Sequence, residues 1–270
     1  MTRIRVASVK RLGVVIMAVS DVAAKDNWPR VTLVVGMAGS GKSTVTSCLK
    51  ACCEARGVQT YTINLDPAVK HMHYEPNIDI RDTIDYEAVR TQYGLGPNGA
   101  ILTACNLFAT RFDQVVSICE RRKDSTRHII VDTPGQIEIF TWSASGTIIC
   151  ELLAASFETT VLFIVDTPRA QNPQIFMSNM LQCLSIVYKT KLPVFVAFNK
   201  TDIVSCDFAR AWMEDEEALL SALDNKSTYS ADLAASLISS ISEFYSRVKS
   251  VGVSGVTSTG FDVLLDAWRF

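Results

Sequence analysis

Short apolar runs alternate with longer amphipathic stretches along the chain from Val31 onward. The runs are apolar on both faces and rich in strand-forming residues, which is typical of strands in a parallel sheet covered by helices. The predicted strands are Val31–Val35, Tyr61–Leu65, His128–Val131, Val161–Val165 and Val194–Phe198. The predicted helices are Ser43–Arg56, Leu107–Arg121, Thr147–Ala155, Pro173–Tyr188, Asp207–Leu223 and residues 228–249. The alternation predicts a mostly parallel, doubly wound α/β sheet with right-handed crossovers.

Two segments depart from this alternation. Residues 71–99 are rich in Asp, Tyr, Pro and Gly, and an irregular insertion of this length inside a compact domain is usually functional or disordered. Residues 1–29 are interpreted as a variable leader, in which basic residues precede the apolar run Leu12–Val19. That pattern resembles a targeting segment, although the run is too short to span a bilayer as a helix. We predict a single domain over residues 30–270, with a disordered leader and a targeting leader as open alternatives.

Composition and charge limit the functional classes. The chain has 270 residues, 48% of them hydrophobic and 20% charged, which is ordinary globular composition. Its net charge of −2 gives no broad electrostatic reason to bind nucleic acid or an anionic membrane directly. Because the eight cysteines include no C-x-x-C pair, we expect reduced thiols in preference to disulfides or a zinc site.

The strongest motif lies between the first predicted strand and the first predicted helix. The sequence from Gly36 to Ser43 fits G-x-x-x-x-G-K-[ST], in the strand–helix context that a phosphate-binding loop requires. Its glycines permit a tight turn whose N–H groups face phosphate oxygens, and Lys42 is expected to reach the β- and γ-phosphates. The residues predicted to hold the phosphates are Gly36, Met37, Ala38, Gly39, Ser40, Gly41, Lys42, Ser43 and Thr44. The alternative is an accidental glycine-rich turn.

A second motif, Asp132-Thr-Pro-Gly-Gln136, follows the strand His128–Val131. An Asp at the carboxyl end of a strand beside a phosphate loop can hold Mg²⁺ directly or through its waters, so Asp132 and Ser43 are the predicted metal ligands. Gly135 is expected to let the main chain approach the γ-phosphate, and Gln136 to orient the attacking water. A turn with a capping Asp is the alternative.

A third motif, Asn199-Lys-Thr-Asp202, follows the strand Val194–Phe198. The Asp202 carboxylate can accept two hydrogen bonds from the ring N–H and the exocyclic amine of guanine, which adenine cannot offer. Asn199 contacts the base or braces the neighbouring loop, and the stem of Lys200 packs over the ring. The four-residue pattern is weak alone, but its order after the other two motifs strengthens it. Ser254 lies in a weaker fifth loop predicted to touch the base.

Further segments make the chain closely resemble the GPN-loop GTPases. They are Asn64–Val69, Asn77–Asp82, Gln92–Gly99, Asn106–Asp113 and Phe140–Gly146. Phe176–Met180 and Tyr188–Pro193 are most similar to the first of the family's three eukaryotic paralogues. The resemblance covers residues 31–260 and implies a three-layer P-loop NTPase fold with a GPN-loop insertion, although G-P-N taken alone is a tight turn.

The resemblance also implies roles for particular residues. Family members are homo- or heterodimers in which the GPN loop of one subunit reaches toward the nucleotide of the other. Gly96, Pro97 and Asn98 would therefore contact phosphate across the dimer. Asp66 matches the family's acidic residue near the attacking water, and with Gln136 and Lys42 it completes the predicted catalytic set.

The implied activity is slow, Mg²⁺-dependent hydrolysis of GTP to GDP by a dimeric switch. Family members are linked to the assembly and nuclear import of RNA polymerase II, with its subunits or assembly factors as partners, and are mainly cytoplasmic proteins that shuttle to the nucleus. This chain departs from the family at Gly255, where Ala is usual, and ends at Phe270 without the long charged extension of the first paralogue.

Two other functions stay open. One is a scaffold or assembly factor in which GTP stabilises a dimer with little turnover. The other is a P-loop kinase for a small acceptor, which predicts an arginine-rich lid and no N-K-x-D motif.

Overall fold

The computed structural model describes residues 28–224, 244–245 and 247–268. Most of the predicted leader and most of the predicted helix over residues 228–249 lie outside this range. The predicted helix extends to residue 249, but Lys249 begins a strand. The prediction is therefore wrong at this end.

Seven strands of the described chain form one sheet, in which every neighbouring pair is parallel. They are β1 Arg30–Gly36, β2 Thr60–Asn64, β3 Ile78–Asp79, β4 His128–Asp132, β5 Glu158–Asp166, β6 Val194–Asn199 and β7 Lys249–Gly252. Their order across the sheet is β3-β2-β4-β1-β5-β6-β7. The five predicted strands are confirmed, and β3 and β7 extend the sheet at its two edges.

Helices connect the strands and cover both faces of the sheet. They are α1 Lys42–Ala55, α2 Tyr86–Gln92, α3 Pro97–Ala109, α4 Phe112–Arg121, α5 Ile137–Trp142, α6 Ala144–Ser156, α7 Thr167–Ala170, α8 Pro173–Thr190, α9 Asp207–Glu214, α10 Glu216–Asp224 and α11 Phe261–Ala267, with a 3₁₀ turn at Ile80–Asp82. One apolar cluster joins α1 and α11 to one face of the sheet, and a larger cluster joins α3, α4, α6 and α8 to the other. The predicted three-layer α/β fold is therefore confirmed.

The structure corrects two helix predictions. The predicted helix Leu107–Arg121 is two helices, because α3 ends at Ala109 and is followed by Thr110, whose hydroxyl donates to the carbonyl of Leu107 (2.7 Å). The predicted helix Asp207–Leu223 is also divided. There Asp215 caps the second half by accepting a hydrogen bond from the Glu217 N–H (2.9 Å).

The insertion over residues 71–99 is more regular than the sequence predicts. It contains β3, the 3₁₀ turn and α2, and it runs into α3. Gly96 caps α3 and Pro97 occupies its first turn, so the G-P-N sequence forms a helix start and not an isolated tight turn. Proline suits this position, since its missing N–H would have no partner within the helix.

All eight cysteines are free thiols, as predicted, and six of them are buried. Among the described residues, no helix combines the length and the apolar character needed to cross a membrane.

Candidate functional site

The phosphate loop connects β1, which is central in the sheet, to the start of α1. Gly39 and Gly41 have φ angles of 81° and 90°, a region that side chains other than glycine rarely adopt. A Cβ atom on Gly41 would also lie 2.4 Å from the Nδ2 of Asn199. The loop therefore requires glycine at position 41 for both backbone and steric reasons.

The loop leaves helix N–H groups available for an anion. Gly41 is the N-cap of α1, and within the described structure its first turn has neither a side-chain cap nor an acidic residue. Unpaired N–H groups and the positive end of the helix dipole favour a phosphate at this place. The Lys42 ammonium donates to the carbonyls of Gly36 (3.0 Å) and Met37 (3.2 Å), which closes the loop on itself. Burial lowers the pKa of Lys42, and the charges of Asp132 and Asp66 oppose that shift.

Asp132 ends β4 beside this loop and is almost completely buried. Its Oδ2 accepts a hydrogen bond from the Tyr74 hydroxyl (3.1 Å). Its Oδ1 is buried and has no hydrogen-bond partner in the part of the chain that the structure describes. Burial raises the pKa of Asp132 to about 6, while the Ser43 hydroxyl and the Lys42 charge lower it.

These groups fit a magnesium ion. A buried carboxylate oxygen without a partner is costly unless a cation or a water satisfies it. Mg²⁺ prefers few protein oxygens and completes its shell with water and substrate phosphate, so Asp132 and Ser43 are a sufficient protein contribution. A metal held by these residues would neutralise charge on the β- and γ-phosphates.

Asp66 follows β2 and connects two loops of the site. Its Oδ1 accepts from the N–H of Ala68 (2.9 Å), which is the capping role before Pro67. Its Oδ2 accepts from the N–H of Gly135 (3.2 Å), which ties it to the D-T-P-G-Q segment. The structure thus places Asp66 beside the predicted γ-phosphate segment while it also caps its own turn.

Gln136 contacts the GPN segment of the same chain. Its Nε2 donates to the Oδ1 of Asn98 at 2.5 Å. Asn98 lies in the first turn of α3, so this helix fixes the position of the glutamine side chain. Gly135 lies directly before it and donates to Asp66, which brings four of the predicted site residues into one cluster.

The N-K-x-D motif is joined to the phosphate loop by two hydrogen bonds and to the fifth loop by a third. Asn199 donates from Nδ2 to the carbonyl of Ser40 (2.8 Å) and accepts at Oδ1 from the N–H of Gly255 (3.2 Å). Lys200 donates to the carbonyl of Gly39 (2.9 Å). Of the two predicted roles for Asn199, the structure shows the bracing of neighbouring loops.

Asp202 presents its carboxylate at the surface of this loop. Its Oδ1 accepts from the hydroxyl of Ser254 at 2.5 Å. The same Ser254 oxygen accepts from the N–H groups of Val256 (3.3 Å) and Thr257 (3.1 Å), which orders the fifth loop. Asp202 is therefore held in place and still has acceptor capacity for a base.

Close packing against Thr44 explains why glycine occupies position 255. A Cβ atom at this position would lie 2.8 Å from the Cγ2 of Thr44, closer than real Cβ atoms approach other atoms. We expect Gly255→Ala to lower the free energy of unfolding by about 1–3 kcal/mol, since overpacking in a tight contact has that cost. Urea denaturation of the purified variants measures the change.

The matched control removes the opposing methyl group. Thr44→Ser lacks Cγ2, so the double variant Gly255→Ala, Thr44→Ser is expected to recover most of the lost stability. A Gly255→Ala protein as stable as the parent, or an equally destabilised double variant, would contradict this explanation of Gly255.

Two residues of this site were not predicted from the sequence. Asp166 ends β5 and accepts from Lys200 (2.7 Å), which orients that lysine; the signal was a carboxylate at the end of a predicted strand. Tyr74 lies in the insertion and contacts Asp132, a residue far away in the sequence. No local pattern marks Tyr74.

Known proteins resemble this chain in sequence and in fold. A family described as "Conserved hypothetical ATP binding protein" matches residues 34–269. GPN-loop GTPase 1 of Dictyostelium discoideum is 54% identical over 230 residues, which are 85% of this chain and 58% of that protein. GPN-loop GTPase 1 of Schizosaccharomyces pombe is 47% identical over 252 residues, which are 90% of this chain and 69% of that protein.

A solved structure shares the fold. The crystal structure of a GTPase in apo form from Pyrococcus abyssi has a TM-score of 0.78 at 27% identity, covering 89% of this chain and 96% of that one. The chain spans less than two thirds of the length of the Dictyostelium relative, 58% of it. The sequence identity, the matched extent and the shared fold together show that the chain belongs to the GPN-loop GTPase family.

Proposed function

We propose that this chain binds GTP with Mg²⁺ and hydrolyses it slowly to GDP. The observation that carries the proposal is the direct joining of two loops. Asn199 and Lys200 hydrogen-bond to carbonyls of the phosphate loop, and Asp202 in the same motif presents a surface carboxylate. A phosphate site and a guanine-selective acceptor are thereby held in one rigid unit.

The description of the matching family names ATP, so it does not support a preference for guanine. We base the guanine preference on the Asp202 carboxylate. Adenine carries an acceptor at N1 where guanine carries a donor, so an adenine ring would place its lone pair against the carboxylate. A site built for one donor pattern rejects the other strongly, because the mismatched polar groups stay unpaired.

Hydrolysis is assigned to the cluster around Gly135. In this proposal Gln136 orients water and Asp66 lies beside the same segment, while Lys42 and backbone N–H groups stabilise charge on the transferred phosphate. Support comes from the bonds that hold Asp66 to Gly135 and Gln136 to Asn98. Phosphoryl transfer depends on such alignment more than on a strong base.

The biological part of the proposal rests on the family resemblance. It is a homo- or heterodimeric switch with another GPN-loop GTPase, mainly cytoplasmic and shuttling to the nucleus, that serves RNA polymerase II assembly and import. Asn98 contacts Gln136 of its own chain, which supports a role of the GPN segment beside the residues assigned to hydrolysis. Its contact with the nucleotide of a neighbouring subunit rests on the resemblance.

Nucleotide titration and single-turnover hydrolysis test the proposal. The purified chain is expected to retain fluorescent GDP in millimolar Mg²⁺, to release it to excess GTP, and to keep it against equal ATP. Bound GTP is then expected to decay to GDP within a single turnover. Equal competition by ATP would remove the guanine assignment.

The same experiment separates the alternatives. GTP that stays intact for hours, with no change on Gln136→Ala, would favour the scaffold that uses GTP to stabilise a dimer. Transfer of the γ-phosphate to a small acceptor in preference to water would favour the kinase.

A further inference from the structure

Tyr74 lies in a short strap, defined here as residues 73–75, that crosses the first helix toward the metal site. The carbonyl of His73 accepts from the Ser47 hydroxyl (2.9 Å), and the carbonyl of Glu75 accepts from the Lys50 ammonium (3.1 Å). The hydroxyl of Thr62 on β2 also donates to the Glu75 carbonyl (3.3 Å). The main chain is therefore anchored on both sides of Tyr74, at the carbonyls of His73 and Glu75, which limits where its side chain can reach.

The anchors share a helix face with the metal ligand. Ser43, Ser47 and Lys50 follow an i, i+4, i+7 spacing on α1, which places them along one side of the helix. The first of them is the predicted Mg²⁺ ligand, and the other two hold the strap. The helix that positions the phosphate loop thus also positions Tyr74.

The Tyr74 hydroxyl contacts one oxygen of the Asp132 carboxylate, the predicted metal ligand. It donates to Oδ2 of Asp132 (3.1 Å), whereas Oδ1 is buried without a partner among the described residues. The phenol of a tyrosine is ordinarily protonated at neutral pH, so it acts here as a donor. A fixed donor on one oxygen restricts rotation of the carboxylate and therefore also fixes the position of the other oxygen.

We propose that Tyr74 is a positioning residue for magnesium, which orients Asp132 so that its Oδ1 faces the ion or an ion-bound water. The inference rests on the proposed function, because the metal enters together with the guanine nucleotide. Outer partners of metal ligands fix ligand orientation, and their loss typically weakens metal binding by about 10–100-fold.

Tyr74→Phe tests the inference, because it keeps the ring and removes only the hydroxyl. The experiment loads the full chain with a fluorescent GDP analogue and measures its dissociation rate as MgCl₂ is titrated from excess EDTA to millimolar ion. We expect Tyr74→Phe to raise the Mg²⁺ concentration for half-maximal nucleotide retention by about 10-fold or more. Dissociation in EDTA is expected to match that of the parent chain.

A matched control and a second variant make the result specific. Tyr188→Phe removes the hydroxyl of an exposed tyrosine near the end of α8 and is expected to leave the Mg²⁺ titration unchanged. Ser47→Ala releases one anchor of the strap and is expected to shift the titration in the same direction as Tyr74→Phe, by a smaller factor. Because Ser47 contacts the carbonyl of His73, a shift in this variant would show that the anchoring of the strap contributes to Mg²⁺ binding.

Three outcomes would overturn the inference. An unchanged Mg²⁺ titration in Tyr74→Phe would show that the phenol does not position the ligand. Equal loss of nucleotide with and without Mg²⁺ would show a purely structural role, and a lower Mg²⁺ requirement would show that the phenol competes with the ion. If the parent chain itself fails to retain the GDP analogue in Mg²⁺, the proposed function fails first, which is distinguishable from these results.

Discussion

Asp202→Asn is expected to lower the affinity for GTP by about 10²–10⁴-fold and to make xanthosine triphosphate the preferred ligand. A carboxylate accepts hydrogen bonds from both the ring N–H and the exocyclic amine of guanine, whereas an asparagine amide offers one acceptor and one donor. Xanthine has an oxygen in place of that amine, so it matches the new donor. Each lost charge-assisted bond is worth about 1.5–3 kcal/mol, which sets the size of the effect.

Asp202→Asn is expected to change base recognition without disturbing the fifth loop. Ser254 donates to Oδ1 of Asp202 at 2.5 Å, and the amide oxygen of an asparagine can accept the same hydrogen bond. The order of the fifth loop, which depends on Ser254, is therefore expected to survive. The change then falls on the group that meets the base.

Competition of each triphosphate against fluorescent GDP measures the switch. Asp124→Asn, which makes the same chemical change at an exposed position between α4 and β4, is the control and is expected to keep the parent's preference. A loss of GTP affinity without any gain for xanthosine triphosphate would point to a damaged loop. An Asp202→Asn protein that still prefers GTP would remove Asp202 from base recognition.

Much of the fold was predictable because its signals are local. The central strands are continuous apolar runs, and glycine ends β1 where the phosphate loop begins. Since the carboxyl ends of parallel strands meet at one edge of the sheet, the motifs after β1, β4 and β6 were expected to come together. The hydrogen bonds from Asn199 and Lys200 to the phosphate loop confirm this for the motifs after β1 and β6.

The features that were not predicted from the sequence depend on contacts between distant residues, or on helix ends that no local residue pattern marks. The division between α3 and α4 occurs at Thr110 and Arg111, where neither glycine nor proline marks an end. The short strand β3 is recognisable only through its pairing with β2, because two residues carry no periodicity. Tyr74 reaches a residue 58 positions away.

Gln136→Ala is expected to slow single-turnover hydrolysis of bound GTP by about 10²-fold or more, while the affinities for GTP and GDP change only a few-fold. The side chain is assigned to orient water, an interaction that gains its value in the transition state and not in the bound complex. Quench-flow or manual quenching of preloaded GTP measures the rate. Gln114→Ala, at an exposed position on α4, is the control and is expected to hydrolyse GTP at the parent rate.

Substitution of Asn98 tests whether its contact with Gln136 contributes to the hydrolysis of GTP. If the 2.5 Å hydrogen bond between them holds the glutamine in its working position, Asn98→Ala should slow hydrolysis by a smaller factor than Gln136→Ala. The double variant should then be no slower than Gln136→Ala alone, because a residue that acts through another has no effect once that other is gone. Independent, multiplying effects would instead mean that Asn98 contacts phosphate by itself, as the resemblance implies for the GPN loop of a neighbouring subunit. Gln136→Ala with unchanged hydrolysis would leave Asp66, held against Gly135 at 3.2 Å, as the group to test for the water.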